Sequence, residues 1–350
     1  MISTIGQLLD AMNVELQVFD LGRQVQAISR TTFQQFETQD IAYPSPHMGH
    51  AWLGIVFWAP EAPEQPVLWF VKLPLDEQGK LAQAERDRFL QQLLTGAGKN
   101  LQAAKQGAAF EEVLKDNPFI FSPPPEKQAF INSKVRQLLE LPPSQYQDAA
   151  LKYLNGDLTQ WQELPLQGVA DIVCHWKSNR DLLASSLGKL PEQPLILLCQ
   201  LLENEPVDDG ISTPLLQRLS DIMARANNLS PGDTAMAIAL LRGLSQSINM
   251  QDRQKALRLS LESSLRDSAE FLATVASRNH LELFDDTLCL EYLAAMAEHD
   301  QAVFNTLLQQ LLFTPIMRKQ LLKCIQLPQC PDRVRKAFQT FANSVRGTLH

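Results

Sequence analysis

Two histidines come closest to a metal-binding pattern in this chain. His47 and His50 have the His-x-x-His spacing, but a metal site needs at least one further ligand and a supporting shell of hydrogen bonds. No carboxylate lies between Asp40 and Glu61, so the surrounding segment supplies no third ligand. We therefore interpret both histidines as residues of a surface loop and predict no metal site.

The cysteines are odd in number and widely spaced, which is not typical of a disulfide framework or a zinc site. Cys174 and His175 are adjacent, and on a helix their side chains point about 100° apart, so they cannot form a nucleophile–base pair unaided. We predict buried, reduced thiols at all five positions, which are Cys174, Cys199, Cys289, Cys324 and Cys330.

Two short motifs resemble parts of catalytic signatures without completing them. Ser186 and Lys189 have the Ser-x-x-Lys spacing of some acyl-transfer enzymes, but the supporting Ser-Asp-Asn and Lys-Thr-Gly elements are absent from the sequence. Segment 96–100 ends like a phosphate loop, but Leu93 stands where the first glycine is needed and Asn100 where Ser or Thr is needed. The sequence therefore predicts no catalytic residue and no cofactor, and it favours a non-enzymatic protein.

The composition is that of a globular protein and excludes several classes. The chain has 350 residues, of which 45% are hydrophobic and 20% charged, with a net charge of −8. This acidic balance disfavours a globally basic nucleic-acid binder. The longest apolar runs, such as 195–199, are far shorter than a membrane span, and the first seven residues do not resemble a secretory signal. We predict a cytoplasmic protein that does not bind a membrane.

Strand signals concentrate in the first 122 residues. Alternating or aromatic and β-branched segments predict two hairpins, formed by residues 14–19, 25–28, 52–58 and 67–73. Gly22 is expected to adopt a positive φ in the turn of the first hairpin. Helical periodicity predicts flanking helices over residues 3–12, 30–38 and 81–95. We predict an α+β domain over residues 1–122, with an antiparallel sheet of about four strands.

The second hairpin is apolar on both faces, because Trp52 and Val56 point to one side while Leu53 and Ile55 point to the other. Both faces should then be covered. Helix 81–95 can cover one, and the other requires the second domain, the 30–38 region or another chain. A homodimer is thus one predicted form, and the candidate partner-facing residues here are Trp52, Trp58 and Trp69.

Beyond the proline run at 123–125, which we interpret as a linker, the pattern becomes entirely helical. Helix starts are predicted near Pro214, Pro231, Gln251, Asp267, Asp285, Asp300, Pro315 and Pro331. This spacing, about 17 residues per helix and about 33 per pair, is typical of helical repeats. We predict a solenoid-like array resembling HEAT or armadillo folds over residues 126–350, with a globular helical bundle as the alternative.

The C-terminal segment is basic within an acidic chain. Residues 314–350 contain seven lysines and arginines against the single acid Asp332, a local charge of +6. Phe338 and Phe341 lie in the same segment. Such an end can dock an acidic protein or an RNA backbone, or it can be the solvated face of a terminal helix. The candidate partner-facing residues of this segment are Arg333, Arg335 and Lys336.

Residues 2–9, the loop at 43–46 and the adjoining strand at Trp52 resemble a bacterial protein family of unknown function, and the resemblance covers the full length of the chain. The resemblance implies a bacterial cytoplasmic protein and no particular activity. From the residues themselves we predict a non-enzymatic interaction or adaptor protein, with unidentified protein partners in an unidentified pathway. Two alternatives stay open: an enzyme with a site between the domains, and RNA or nucleoprotein association through residues 314–350.

Overall fold

The computed structural model describes residues 2–97, 110–156, 158, 160–225 and 228–347. Their contacts divide the chain into two compact units, Met1–Pro143 and Ser144–His350. The division lies later in the chain than the expected linker at 123–125. Pro125 instead occupies the first position of a helix, where its missing N–H has no partner to lose.

The first unit is an α+β unit built on a four-stranded antiparallel sheet, as the sequence predicts. The strand order is β2-β1-β3-β4, and residues 119–121 bond along the outer edge of β4. Its elements are α1 Ile5–Ala11, β1 Glu15–Asp20, β2 Gln26–Ile28, α2 Arg30–Glu37, β3 His50–Trp58, β4 Val67–Pro74, α3 Gln83–Ala97, α4 Glu111–Leu114 and α5 Pro125–Leu138.

One face of the sheet carries the main core of this unit. Val18, Ile55 and Trp69 stand opposite one another across β1, β3 and β4, so their side chains point to the same face. Phe33 of α2 and Phe89 of α3 are buried in the same cluster. Helix α3 therefore helps to cover one face of the sheet, as predicted.

The opposite face is covered by α5. A Cβ on Gly54 of β3 would lie 2.6 Å from Ile131 Cδ1 of α5 and 3.1 Å from Leu21 Cδ1, so a larger residue here would force these side chains to shift. Lys127 Nζ of α5 donates to the carbonyl oxygens of Leu21 and Gly22 at 2.6 and 3.0 Å. The covering helix lies in the predicted second domain, residues 126–350, but it belongs to the first unit.

The first hairpin forms as predicted, with Asp20 opposite Gln26, but the expected role of its glycine is wrong. Gly22 is not among the described residues with positive φ, which include Gly49 and Gly79. A Cβ on Gly22 would lie 2.9 Å from His47 Cβ. Close packing, and not backbone handedness, therefore explains this glycine.

The second unit contains no strand among its described residues and consists of helices joined by short connections. Its helices are α6 Gln147–Asn155, α7 Leu166–Cys174, α8 Arg180–Leu187, α9 Glu192–Leu202, α10 Asp209–Arg225, α11 Pro231–Leu244, α12 Met250–Leu261, α13 Ala269–Arg278, α14 Asp286–Met296, α15 Gln301–Phe313, α16 Pro315–Gln326 and α17 Asp332–Gly347.

Most of these helices begin where the sequence predicts, because the chain supplies a capping side chain or a proline there. Asp285 and Asp300 accept backbone N–H groups at the starts of α14 and α15, and Pro315 opens α16. The prediction at Pro214 is wrong, since this proline lies inside α10. The helix begins at Asp209, where the preceding Asp208 carboxylate accepts the N–H of Gly210 at 3.0 Å.

The helices of the second unit form two rows. From α6 to α17, each helix packs against the helix two positions further along, so even-numbered helices follow one another in one row and odd-numbered helices in the other. The chain therefore crosses between the rows at every connection. The resemblance to HEAT or armadillo arrays stays a prediction, because no repeated residue pattern accompanies these rows.

Candidate protein-interaction surface

Every second connection between α11 and α16 exposes large apolar side chains. The connections are α11–α12, α13–α14 and α15–α16, each of which leads from the odd row to the even row. Between 45% and 66% of each side chain is exposed, although large apolar residues are ordinarily buried. We call this set the apolar edge, and it consists of Ile248, Met250, Leu281, Phe284 and Ile316.

Hydrogen bonds show that these connections adjoin one another. Arg253 of α12 donates to the carboxylate of Glu282, which lies between Leu281 and Phe284, at 2.5 Å. Gln320 of α16 donates to the Phe284 carbonyl at 3.3 Å. These bonds join each connection to the next, so the connections that carry the apolar edge are neighbours in the second unit.

Two residues of the apolar edge directly precede helix caps. Asn249 caps α12 and Asp285 caps α14, and both caps turn their side chains back onto backbone N–H groups. Ile248 and Phe284 immediately precede these caps, and Ile316 lies in the first turn of α16. At the α11–α12 and α13–α14 connections a polar residue thus caps the following helix, while its apolar neighbour remains exposed.

A buried ion cluster fixes the helices behind the edge. Glu203 is 1% exposed, and its two carboxylate oxygens accept from Arg242 at 2.7 and 2.9 Å. The same oxygens accept from Arg278 at 3.3 and 3.5 Å. This carboxylate links α9, α11 and α13, although Arg278 lies far from it in sequence. The cluster ties three helices of one row together.

Further polar groups support the centre of the edge. Burial raises the pKa of Glu282, while Arg253 opposes this shift by donating a hydrogen bond to the carboxylate. Lys323 of α16 pairs with Asp286 of α14 at 2.7 Å and lowers the pKa of that carboxyl. Charge pairing across helices therefore stabilises the connections that carry the exposed apolar residues.

Cations flank the apolar edge at α16. Arg318 and Lys319 are exposed, and neither has a carboxylate within 4 Å among the side chains that the structure describes. Arg318 Nε donates only to the Leu312 carbonyl, at 3.3 Å. Leu322 is exposed one turn further along the helix. Apolar and positively charged groups thus alternate on the surface of α16.

The three basic residues of α17 that were predicted to face a partner have different surroundings. Arg333 forms an ion pair with Glu298, and Arg335 pairs with Asp332 at 3.2 Å. Lys336 is exposed. Phe338 and Phe341 are half-buried and lie 6.3 Å apart between ring centroids. Two of the three predicted cations are therefore engaged within the chain.

The three predicted tryptophans belong to the first unit and have different surroundings. Trp69 is 4% exposed and packs edge-on against Phe57 and Phe110, which leaves it no surface to present to a partner. Trp52 is half-buried, and its indole N–H donates to the His47 carbonyl at 2.9 Å. Trp58 is also half-buried, at the end of β3. The structure does not bring these residues together with the apolar edge in one unit.

The histidines and cysteines that the sequence analysis considered as chemical groups have structural surroundings. His47 and His50 pair through their backbones at the start of β3, and the His50 Nδ1 lies 2.8 Å from the Met48 carbonyl. All five cysteines are free and buried. Within the described parts of the chain, no group of three or more His, Cys, Asp or Glu side chains is placed to hold a metal ion. The phosphate-loop-like segment 98–100 lies outside the described residues.

One cavity of about 450 Å³ lies among α9, α10 and α11. Its lining carries both charge signs, including Arg218, Arg225 and Asp233. Arg218 donates to the Gly188 carbonyl at 2.9 Å, and Asp233 forms a reciprocal capping box with Ser230. Arg218 and Asp233 thus hold main-chain segments in place, and among the described lining residues the hydroxyl of Ser230 belongs to this cap.

Sequence reasoning missed the apolar edge, because the local pattern at these positions predicts burial. The edge residues Ile248 and Phe284 each directly precede a helix-capping Asn or Asp. This pattern ordinarily indicates a residue that packs back onto its own helix. Only the packing of the rows shows that these side chains are left exposed.

The fold and this surface define a class: a two-unit protein with a small sheet unit and a helical array that exposes apolar connections. The chain belongs to a family described as a protein of unknown function (DUF3549), whose model matches residues 1–342. This confirms the family resemblance of the N-terminal segments. No curated protein and no solved structure matches the chain significantly. None of the described helices combines the length and apolarity needed to cross a bilayer.

Proposed function

We propose that this protein is a non-enzymatic interaction or adaptor protein that binds a protein segment along the apolar edge. The observation that carries this proposal is the alignment of exposed large apolar side chains on three adjoining connections. Exposed large apolar side chains on neighbouring connections are a feature of protein-interaction sites. Helical arrays present such extended surfaces on rigid supports.

The energetics of the edge suit reversible binding. Fully burying a Leu, Ile, Met or Phe side chain contributes roughly 1.5–3 kcal/mol. Several half-exposed side chains together can therefore offset part of the entropy cost of association. The buried Glu203 cluster keeps the helices of the odd row fixed, so little further ordering is needed on binding. A micromolar dissociation constant, which corresponds to about −8 kcal/mol, is the expected range.

We also propose a cytoplasmic location in a bacterium. Five free, buried thiols support a reducing compartment. The resemblance of the N-terminal segments to a bacterial family supports the same proposal. The partner is then expected among cytoplasmic proteins of the native host.

The test combines affinity capture with matched variants. The tagged full chain is expressed in its native host, and captured proteins are quantified by mass spectrometry for wild type, Leu281→Ser and Leu138→Ser. Leu138 lies in the first unit and is 41% exposed against 45% for Leu281, so it controls for loss of an exposed leucine. A captured protein supports the proposal only if, once purified, it binds the wild-type chain directly.

The expected result is binding that weakens about tenfold with Leu281→Ser and does not change with Leu138→Ser. A tenfold change corresponds to about 1.4 kcal/mol, as expected for one partly buried leucine. Circular dichroism checks that both variants remain folded. A set of partners that binds all three chains equally would contradict the proposal.

A further inference from the structure

We propose that the segment bound at the apolar edge is acidic as well as apolar, with its carboxylates lying on Arg318 and Lys319 of α16. This inference rests on the proposed function and specifies its partner. The juxtaposition that carries it is an exposed apolar set next to two cations that have no carboxylate partner among the described side chains.

The helical geometry of α16 places Lys319 beside Ile316, and both Lys319 and Arg318 beside Leu322. Ile316, Lys319 and Leu322 are spaced by three residues, so they lie on one face of the helix. Ile316 is 53% and Leu322 41% exposed. A segment that covers this face must place both an apolar group and a negative charge within a few ångströms of each other.

Two neighbouring cations have carboxylate partners, unlike Arg318 and Lys319. Lys323, on the same helix, is neutralised by Asp286, and Arg333 of α17 is neutralised by Glu298. Arg318 and Lys319 keep their charge on a chain whose net charge is −8. Exposed ion pairs contribute little to affinity, so these cations select the partner and accelerate association more than they tighten binding.

A protein segment fits this surface better than a single-stranded nucleic acid. Nucleic acids also bind cations, but they require aromatic side chains on which their bases can stack. Among the five residues of the apolar edge only Phe284 is aromatic, and the cations on α16 adjoin the aliphatic Ile316 and Leu322. Aliphatic groups beside positive charge match an acidic segment that carries leucine, isoleucine or phenylalanine.

The experiment uses the full chain and a random peptide library displayed on phage. We expect the selected peptides to be enriched both in Asp or Glu and in large apolar residues. Synthetic versions of these peptides should bind several-fold to tenfold more weakly to Lys319→Glu and Arg318→Glu, and more weakly at high salt. Lys152→Glu, an exposed lysine on α6, is the matched control and should leave binding unchanged.

Three outcomes would overturn the inference: selection of neutral or basic peptides, failure to select any peptide, or displacement of the acidic peptide by a uridine oligonucleotide at a lower concentration than by unlabelled peptide. The variants separate the two proposals. If Leu281→Ser abolishes binding of a native partner but Lys319→Glu does not, the acidic specificity is wrong and the proposed function stands. If neither variant affects that partner, both are wrong.

Discussion

The two units bury carboxylates in different ways. In the first unit, Asp20 accepts from the Tyr43 hydroxyl at 2.5 Å, and Glu37 accepts from the backbone N–H groups of Ile5 and Gly6 at 2.7 and 2.9 Å. In the second unit, Glu203 and Glu282 accept from arginines at the ends of neighbouring helices. In the first unit the donors to Asp20 and Glu37 are neutral groups, whereas in the second unit the donors to Glu203 and Glu282 are charged arginines of neighbouring helices.

This difference predicts different sensitivities. Burial raises the pKa of Asp20 from 3.8 to about 7 and that of Glu37 from 4.5 to about 7, and the hydrogen bonds that oppose this shift do not cancel it. The stability of the first unit should therefore depend on pH. In the second unit the buried Glu203 and Glu282 have arginine partners, so its stability should depend on keeping those pairs intact.

The largest expected effect is the loss of first-unit stability as the pH rises. Both carboxyls bind a proton more tightly in the folded than in the unfolded state, so their contribution is complete below about pH 4 and is lost as the pH rises to about 7. The loss should be on the order of several kcal/mol. Asp20→Asn cannot titrate, and it should gain stability relative to wild type from pH 4 to 7.

Urea unfolding at several pH values measures this dependence, and hydrogen exchange in β3 identifies the transition of the first unit. Asp181→Asn is the control, because the Asp181 side chain is fully exposed. If wild type and Asp20→Asn keep the same difference in stability at every pH, the contrast between the units is wrong.

The second effect is specific to the second unit. Glu203→Ala leaves Arg242 and Arg278 without their shared acceptor, and should lower the free energy of unfolding by about 3 kcal/mol. Hydrogen exchange should increase in α9, α11 and α13 and stay unchanged in β3. Asp332→Ala, which breaks an exposed pair with Arg335, should cost well under 1 kcal/mol. An equal loss in both variants would show that the cluster does not join the helices.

The third effect concerns the close approach of α5 to the sheet. Gly54→Ala should cost about 1–3 kcal/mol, because its Cβ would collide with Ile131 Cδ1. Ile131→Val removes that methyl group, so the double variant should be more stable than the sum of the single losses predicts. Gly188→Ala, which meets no neighbour, is the control. Strict additivity in thermal unfolding would contradict the proposed contact.

The smallest effect on stability is expected at the apolar edge. Phe284→Ser removes a side chain that is 48% exposed, and should change the free energy of unfolding by only about 0.5 kcal/mol. A loss above about 2 kcal/mol in urea unfolding would show that Phe284 is part of the core of the array. The edge would then be a structural feature, and no longer a binding surface.

Local patterns predicted much of the fold because they reflect local physics. The antiparallel hairpins follow from alternation, and most helix starts follow from a capping residue or a proline. The exception at Pro214 has a physical reason. Asp208 accepts the N–H of Gly210 and so starts the helix at Asp209, five residues before Pro214.

The candidate site could be predicted only in part. The basic composition of residues 314–350 is visible in the sequence, but the pairing of Arg333 with Glu298 depends on how α17 packs. Likewise, the sequence does not distinguish Trp69 from Trp52 as a partner-facing residue. The register of β3 and β4 places Trp69 in the core. Sequence reveals which residue types are available, and packing decides which of them stay exposed.

By itself, the sequence determined the division into a sheet-bearing segment and a helical segment, the hairpins and most helix boundaries, because these depend on residues close together in the chain. Tertiary structure alone decided that α5 covers the second face of the sheet at Gly54, and that Glu203 meets Arg278. It also decided that Phe284 stays exposed. Such outcomes depend on distances between residues far apart in sequence, which no local pattern encodes.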